Sequence, residues 1–175
     1  ADITALSELR TLQPGDLLSP AHEGQRESAC IIKGVLRAYH IGENETETTV
    51  HLLAEGGVIL RTNGYEEILA SHLYKYQALT PVLLAVWGQD ALDYFAQTLP
   101  NWFQFSMKMN QYILLKAAAE RDEMFSDDAT TRYQKFRERH PTIVDRVQLR
   151  HVASYLGIAP QSLSRIRQQL SKQSK

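Results

Sequence analysis

Residues 149–170 read LRHVASYLGIAPQSLSRIRQQL, and this stretch decides how the end of the chain folds. Gly157 is expected to end the first helix of this stretch. A residue without Cβ adopts, at the least cost, the left-handed conformation in which helices commonly end. Ala153 is small enough for a second helix to cross closely, and Pro160 suits the first turn of that helix, where a missing amide hydrogen costs nothing. The spacing predicts two helices joined by a turn of three or four residues, a helix-turn-helix.

The side chains of this stretch separate into an apolar set and a polar set. The apolar side chains that pack between the two helices are Leu149, Val152, Leu156, Ile158, Leu163 and Ile166. The polar side chains on the early, exposed part of the second helix are Gln161, Ser162, Ser164, Arg165 and Gln168. In a helix-turn-helix this part enters the major groove of DNA, so the pattern predicts a set of DNA contacts.

Each polar side chain has a natural partner on DNA. Arg165 can pair with a guanine edge and Gln161 with an adenine edge, while Ser162 or Ser164 can hold a phosphate or a base. Four further basic residues supply charge directed at phosphates: Arg150, Arg167, Lys172 and Lys175.

The charge of the chain is divided along its length. Residues 129–175 hold ten Lys/Arg against two Asp/Glu, a balance of +8, whereas residues 1–128 hold nine against 18, a balance of −9. A basic module beside an acidic one predicts a polyanion as the partner of the basic part, because summed positive charge attracts phosphate. Together with the helix-turn-helix pattern, this predicts double-stranded DNA as the partner. The alternative is a solvated pair of basic helices.

The first half of the chain has the pattern of short strands. Eight of the nine glycines lie in the first 88 residues. Between them are β-favouring runs at 28–33, 35–41, 48–53 and 82–87. Pro14-Gly15-Asp16 is predicted to open a strand, and the turn at 42–45 predicts a hairpin of 36–41 with 47–53. This half is predicted to form an antiparallel barrel or sandwich.

After Gly88 the pattern changes to helix. A short helix is predicted to begin at 89 or 90 and end near 98, and a long one follows over 101–125 after Pro100. Another helix is predicted from Asp127-Asp128 to His140, where Pro141 stops it.

The long helix carries two apolar stripes. The first holds Trp102, Phe105, Met109, Tyr112 and Ala119, interrupted by Lys116 and Glu120, and the second holds Phe103, Met107, Leu114, Ala117 and Met124. Because a surface helix of a monomer needs only one stripe, we expect a homodimer seam through Phe105, Met109 and Tyr112. The alternative is a helix buried inside one chain.

Several segments resemble the Crp/Fnr superfamily of bacterial transcription regulators. The segments that carry the resemblance are Arg132-Tyr133, Phe136, Pro141, 152–158 and 162–167 in the basic part, and 14–18, 34–37 and 55–57 in the first half. The resemblance implies an α+β chain with an antiparallel β jelly-roll barrel of the cyclic-nucleotide-binding type at 1–99. It further implies a dimerisation helix at 100–125 and a helix-turn-helix DNA-binding domain at 126–175.

The same resemblance implies a function. It predicts a homodimer that binds a two-fold symmetric promoter site, a barrel effector that alters the DNA-binding heads, and RNA polymerase as a further partner. The family often has Glu at the position of Gln161. Since an amide both donates and accepts hydrogen bonds, we expect adenine where relatives prefer the cytosine of a C·G pair.

The sequence also departs from the family pattern. The phosphate-binding cassette of cyclic-nucleotide binders is absent, since residues 58–64 read VILRTNG, and cAMP is not expected to bind. Arg61 is either an anion ligand or an exposed arginine at a strand end, and any effector is an unidentified small molecule. The sequence given ends five residues after Leu170, so we expect a short form without the β-hairpin wing that usually follows.

No cofactor or metal is expected. Cys30 is the only cysteine, which excludes an internal disulfide or a cysteine-held cluster, and the six histidines have no metal-ligand spacing. The composition, 43% hydrophobic and 22% charged, is ordinary for a globular chain. With no apolar run of membrane-spanning length, we expect a cytoplasmic protein without a membrane partner.

Two other function classes compete with this prediction. An enzyme is not expected, because the chain has no nucleophile elbow, zinc motif, phosphate loop or dinucleotide turn. The second alternative is a small-molecule or protein-interaction sensor module whose DNA-binding role is reduced or lost. The missing wing favours this alternative, and the exposed position of Arg165 argues against it.

Overall fold

The structure, a computed structural model, describes residues 3–18, 27–42, 44–60 and 74–173. The strands found there are β1 (Glu8–Leu12), β2 (Ser28–Lys33), β3 (Leu36–Ile41), β4 (Glu47–Leu53), β5 (Val58–Leu60), β6 (Lys75–Ala78) and β7 (Val82–Trp87). The α-helices are α1 (Gln89–Thr98), α2 (Trp102–Ser126), α3 (Ala129–Arg139), α4 (Leu149–Tyr155) and α5 (Pro160–Gln173). No helix in these ranges is both long and apolar enough to cross a bilayer.

The strands form two antiparallel sheets. One has the order β1-β7-β2-β5 and the other the order β4-β3-β6. The predicted hairpin is confirmed, since β3 pairs with β4 from Leu36↔Leu53 to Ile41↔Glu47. The amide of Gly42 donates to the carbonyl of Thr46 at 3.0 Å and closes its turn.

Apolar side chains from both sheets share a core. Its members include Ala29, Ile31, Ile59, Val82, Leu84 and Val86 from the larger sheet, and Leu36 and Ala78 from the smaller one. The fold is therefore α+β with antiparallel sheets, as predicted. The closed jelly-roll barrel stays a prediction, because the strands described here form two sheets without a continuous hydrogen-bonded barrel.

The strand that Pro14-Gly15-Asp16 is predicted to open is seen as the start of an antiparallel pairing with β6. Pro14 and Gly15 form a turn after β1, where the Asp16 carboxylate accepts the amide of Gln13 at 2.8 Å. After this turn Leu17 forms an antiparallel bridge with Gln77, and the amide of Leu18 donates to the carbonyl of Tyr76 at 2.9 Å. Residues 19–26, where the strand would continue, lie outside the described residues.

The chain separates into two compact units, residues 1–110 and 111–175. In the first unit, Phe95 of α1 is buried and its ring centre lies 5.1 Å from that of Trp102. The second unit holds the carboxy-terminal part of α2 with α3, α4 and α5. The three-part division at 99 and 125 stays a prediction.

Helix α3 begins and ends close to the predicted positions. The Asp128 carboxylate accepts the amide of Thr131 at 2.7 Å and caps the amino end. His140 closes the carboxyl end, where its amide donates to the carbonyl of Phe136 at 2.8 Å.

Gly34 and Gly15 provide a matched test of the packing between the sheets. Both have positive φ, +103° and +98°, but a Cβ at Gly34 would lie 2.4 Å from the Pro81 carbonyl oxygen, whereas a Cβ at Gly15 would meet nothing within 4 Å. We expect Gly15→Ala to cost about 1–3 kcal/mol of unfolding free energy through backbone strain. Gly34→Ala should cost about 1–3 kcal/mol more, because the backbone must also move. Urea denaturation checks this, and equal losses in the two variants would contradict it.

Candidate nucleic-acid interface

The link between α4 and α5 is closed by hydrogen bonds of the Schellman type. Gly157 has the predicted left-handed conformation, with φ +61°. Its amide donates to the carbonyl of Ser154 at 3.2 Å, and the amide of Ile158 donates to that of Ala153 at 2.9 Å. These bonds satisfy carbonyls at the end of α4 and turn the chain into α5.

The inner sides of α4 and α5 are buried, as predicted. Ala153 and Leu163 have no exposed surface, and Val152, Leu156, Ile158 and Ile166 are also buried. Leu149 is only half-buried. Tyr133 and Phe136 of α3 and Ile143 complete the buried apolar set of this unit. Because the inner side of α5 is packed in this way, the opposite side of the helix faces solvent.

The outer side of α5 carries most of the predicted DNA contacts. Gln161, Arg165, Gln168 and Lys172 are exposed and lie at intervals of four, three and four residues, which places them on one helical face. Ser162 is exposed beside this face, and Ser164 is half-buried. Arg167 is exposed on the flank of α5, and Arg150 is exposed on α4. Lys175 lies outside the described residues.

The charge of the face is available for a ligand. Within the described ranges, neither Arg165 nor Arg167 has a hydrogen-bond or ion-pair partner. Arg150 differs, because its Nε lies 3.3 Å from Nε2 of the neighbouring His151.

Three basic residues of α3 pair with groups of the same chain, and the sequence analysis did not predict these pairs. Arg132 donates to the carbonyls of Met124 and Asp127 at 3.0 and 3.2 Å. Lys135 pairs with Asp127 at 2.7 Å, and Arg139 pairs with Glu123. The +8 balance of residues 129–175 therefore overstates the charge that faces outward. The sequence does contain one signal for these pairs: Arg132, Lys135 and Arg139 are three and four residues apart, which places them on one side of α3.

Arg61, the candidate effector ligand of the sequence analysis, lies outside the described residues. Another arginine of the first unit, Arg37, is buried and already engaged. Its Nε donates to Gln77 at 2.9 Å, its Nη2 pairs with Glu47, and its guanidinium lies 4.0 Å from the ring centre of Tyr39. Arg37 thus stabilises its sheet.

Cys30 is half-buried, and burial raises the pKa of its thiol. Among the residues that the structure describes, no group of three or more His, Cys, Asp or Glu side chains could hold a metal ion.

Two titratable groups near α3 and α4 are shifted by their surroundings. Burial lowers the pKa of His140 to about 4, helped by the positive charges of Lys116 and Arg139. Burial raises the pKa of the Tyr155 hydroxyl, and the nearby Glu120 carboxylate adds to that rise. Both groups are therefore neutral at pH 7.

Comparison with known proteins gives a fold but no close relative. No family model and no curated protein sequence matches the chain. Among solved structures, FixK2 from Bradyrhizobium japonicum is similar with a TM-score of 0.78 and 15% identity, over 96% of this chain and 86% of that one. The c-di-GMP-responsive global regulator CLP of Xanthomonas campestris has a TM-score of 0.66 and 14% identity, over 98% and 89% of the two chains.

A protein from Eubacterium rectale described as a transcriptional regulator of the Crp/Fnr family has a TM-score of 0.69 and 12% identity, over 98% of this chain and 81% of that one. These neighbours are Crp/Fnr regulators. At such low identity the likeness establishes the fold. The chain thus has the Crp/Fnr fold, and the resemblance seen in the sequence is confirmed at that level.

The His140 shift predicts a pH dependence of stability. The folded-state pKa of about 4 lies below the value of 6.5 expected for the unfolded chain, so stability is full above pH 6.5 and falls as the pH drops towards 4. We expect urea denaturation to show a loss between pH 7 and pH 5 that is smaller in His140→Gln. The same loss in both proteins would contradict the assignment.

Proposed function

We propose that the protein is a DNA-binding transcription regulator of the Crp/Fnr type that acts as a homodimer, with α5 as its recognition helix. One observation carries the proposal: α5 buries Leu163 and Ile166 on its inner side and presents Gln161, Arg165 and Gln168 on its outer side. A helix held in this way can enter a major groove without exposing apolar surface.

The chemistry of the outer face suits DNA. Arg165 offers two parallel N–H donors, which match O6 and N7 of guanine, and Gln161 matches N6 and N7 of adenine. Lys172, about 16 Å from Gln161 along the helix, offers a charge for the phosphate backbone. Sequence preference is therefore assigned to the first turns of α5, and general affinity to Lys172, Arg167 and Arg150.

Dimerisation is proposed through α2, because the helix exposes more apolar surface than a monomer should. None of its residues is buried, and Phe103, Leu114 and Phe125 are 74%, 70% and 85% exposed. Of the proposed seam residues, Phe105 and Tyr112 are exposed and Met109 is half-buried. Covering such a surface with a second copy removes apolar area from water. A two-fold dimer whose recognition helices enter successive major grooves on one side of the DNA then reads half-sites about 34 Å apart.

The first unit is proposed to be an effector barrel that does not use cAMP. CLP is named as responsive to c-di-GMP, which shows that a protein of this fold can respond to a nucleotide other than cAMP. The alternative function, a sensor module whose DNA-binding role is reduced or lost, predicts that the purified protein binds DNA weakly or not at all even at low salt.

Gel-shift titrations across a salt series test the assignment of α5. Arg165→Ala should cost about 1–3 kcal/mol of binding free energy on a preferred site and relax the preference for guanine, because the bidentate contact is lost. Lys172→Ala should weaken binding to all sequences alike and reduce the salt slope by about 1. Arg121→Ala, an exposed arginine of α2, is the control for loss of charge. If it reproduces the effect of Arg165→Ala, the assignment is wrong.

Light scattering at micromolar concentration tests the dimer. The wild-type chain should have the mass of a dimer, and Met109→Lys should dissociate it, because a charge in an apolar seam is costly. Gln104→Lys, an exposed polar position on the same helix, should leave the dimer intact. Leu114→Lys tests the second stripe separately. A monomeric wild-type chain would refute the seam.

Calorimetry tests the effector prediction. Without a cassette Glu for the ribose hydroxyls or a cassette Arg for the phosphate, each unpaired polar group of cAMP costs about 1–3 kcal/mol, which is enough to remove micromolar affinity. We expect no binding in the low-micromolar range. A dissociation constant in that range would overturn the prediction.

A further inference from the structure

The end of α2 is held by a row of basic side chains on α3. Arg132, Lys135 and Arg139 follow one another at intervals of three and four residues, so they lie on the same side of α3. All three contact the last turns of α2. We call these three residues, with Glu123 and Asp127, the α2–α3 clamp.

The clamp is built from distinct contacts. Glu123 pairs with Arg139 and lies 3.7 Å from Nζ of Lys135, which also contacts Asp127 at 2.7 Å. Arg132 donates to main-chain carbonyls of Met124 and Asp127 at 3.0 and 3.2 Å, where a cation is favoured by the carboxyl-end dipole of α2. Glu123 is the central residue of the clamp, because it contacts both Lys135 and Arg139. Asp127, one helical turn further on, shares Lys135 with it.

Packed side chains connect the helices of the clamp to α4 and to the turn before α5. Phe136, on the buried side of α3, has its ring centre 5.5 Å from that of Tyr155 in α4. Met124 of α2 lies against the turn before α5, since a Cβ at Gly157 would come within 2.9 Å of its Cε. The last turns of α2 therefore contact the turn before α5 through Met124, and α3, which the clamp joins to α2, contacts α4 through Phe136.

We propose that Glu123 is a positioning residue that fixes the direction of the recognition helix relative to the dimerisation helix. The inference rests on the proposed function, because it concerns how the two α5 helices of a dimer are spaced on DNA. If α2 forms the seam, the clamp determines the distance and angle between the two copies of α5. Glu123 then acts on DNA recognition without touching DNA.

The exposure of the clamp makes this role measurable. The side chains of Glu123, Lys135 and Arg139 are 29%, 40% and 37% exposed, so their pairs are partly solvated. Pairs of this kind contribute little to folding stability, and breaking one should leave the domain folded. The loss should instead appear in how sharply the dimer distinguishes half-site spacings.

A charge swap is the experiment that tests the role. On a preferred site selected with the wild-type protein, binding is measured with the half-site spacing as selected and with one base pair added or removed. Arg139→Glu should reduce the discrimination between spacings by about three- to tenfold, the scale of a partly exposed pair plus the repulsion that replaces it. Both this variant and the double variant Glu123→Arg/Arg139→Glu are made on a Lys135→Gln background, because Lys135 lies 3.7 Å from Glu123 and would repel an arginine there. On that background the double variant keeps the net charge and restores the pair, so it should recover the discrimination of the Lys135→Gln protein. Arg137→Glu, on α3 outside the clamp, is the control for charge.

Each outcome has one meaning. Three results together support the inference. Arg139→Glu loses discrimination between spacings, the double variant recovers it, and Arg137→Glu keeps it. Unchanged discrimination in Arg139→Glu, or no recovery in a double variant that circular dichroism shows to be folded, overturns it. If the wild-type protein binds no DNA at all, the proposed function itself is wrong and the inference falls with it.

A second measurement needs no DNA. With Cys30→Ala and Gln169→Cys, each protomer of a dimer carries one spin label on the exposed side of α5. Double electron–electron resonance spectroscopy then measures the distance between the two spin labels, and hence between the two recognition helices. The distribution should broaden in Arg139→Glu and narrow again in the double variant, whereas the same distribution in all three proteins would overturn the inference.

Discussion

The left-handed backbone at Gly157 is the constraint on which the candidate interface depends. It lets the amide of Ile158 reach the carbonyl of Ala153, so that α4 ends and α5 starts in a new direction within a few residues. Only with this turn do Leu163 and Ile166 face the buried side while Arg165 faces outward. A side chain at this position would favour other backbone conformations and would also press on Met124.

Positive charge has two separate uses in the second unit. Three basic side chains of α3 contact the end of α2, where they hold the helices together, while Arg165 and Arg167 of α5 have no partner in the described part of the chain. This division explains why a net charge alone is a poor guide to a binding surface. Charge that is already paired adds little to the attraction of phosphate, so affinity should depend on the few cations that remain unpaired.

The sequence predicted the parts of the fold that local chemistry determines. The Gly157 turn, its apolar neighbours, the Asp128 cap and the strands bounded by glycines all follow from short-range preferences. Strands β1, β5 and β6 were not predicted, because they are short and gain their hydrogen bonds from partners distant in the chain, such as β7 for β1. The use of Arg132, Lys135 and Arg139 inside the protein was missed for the same reason, since it depends on how α2 and α3 meet. Which stripe of α2 forms a seam likewise depends on a second copy.

The central claim is that the exposed face of α5 selects a DNA sequence, and selection of sites from a random DNA pool tests it most directly. The wild-type protein should enrich two symmetric half-sites, each with a guanine and, nearby, an adenine. Gln161→Glu should change the preference at that adenine alone, towards the cytosine of a C·G pair, because a carboxylate only accepts hydrogen bonds. A pool with no enriched sequence, or the same enriched sequence for both proteins, would contradict the account.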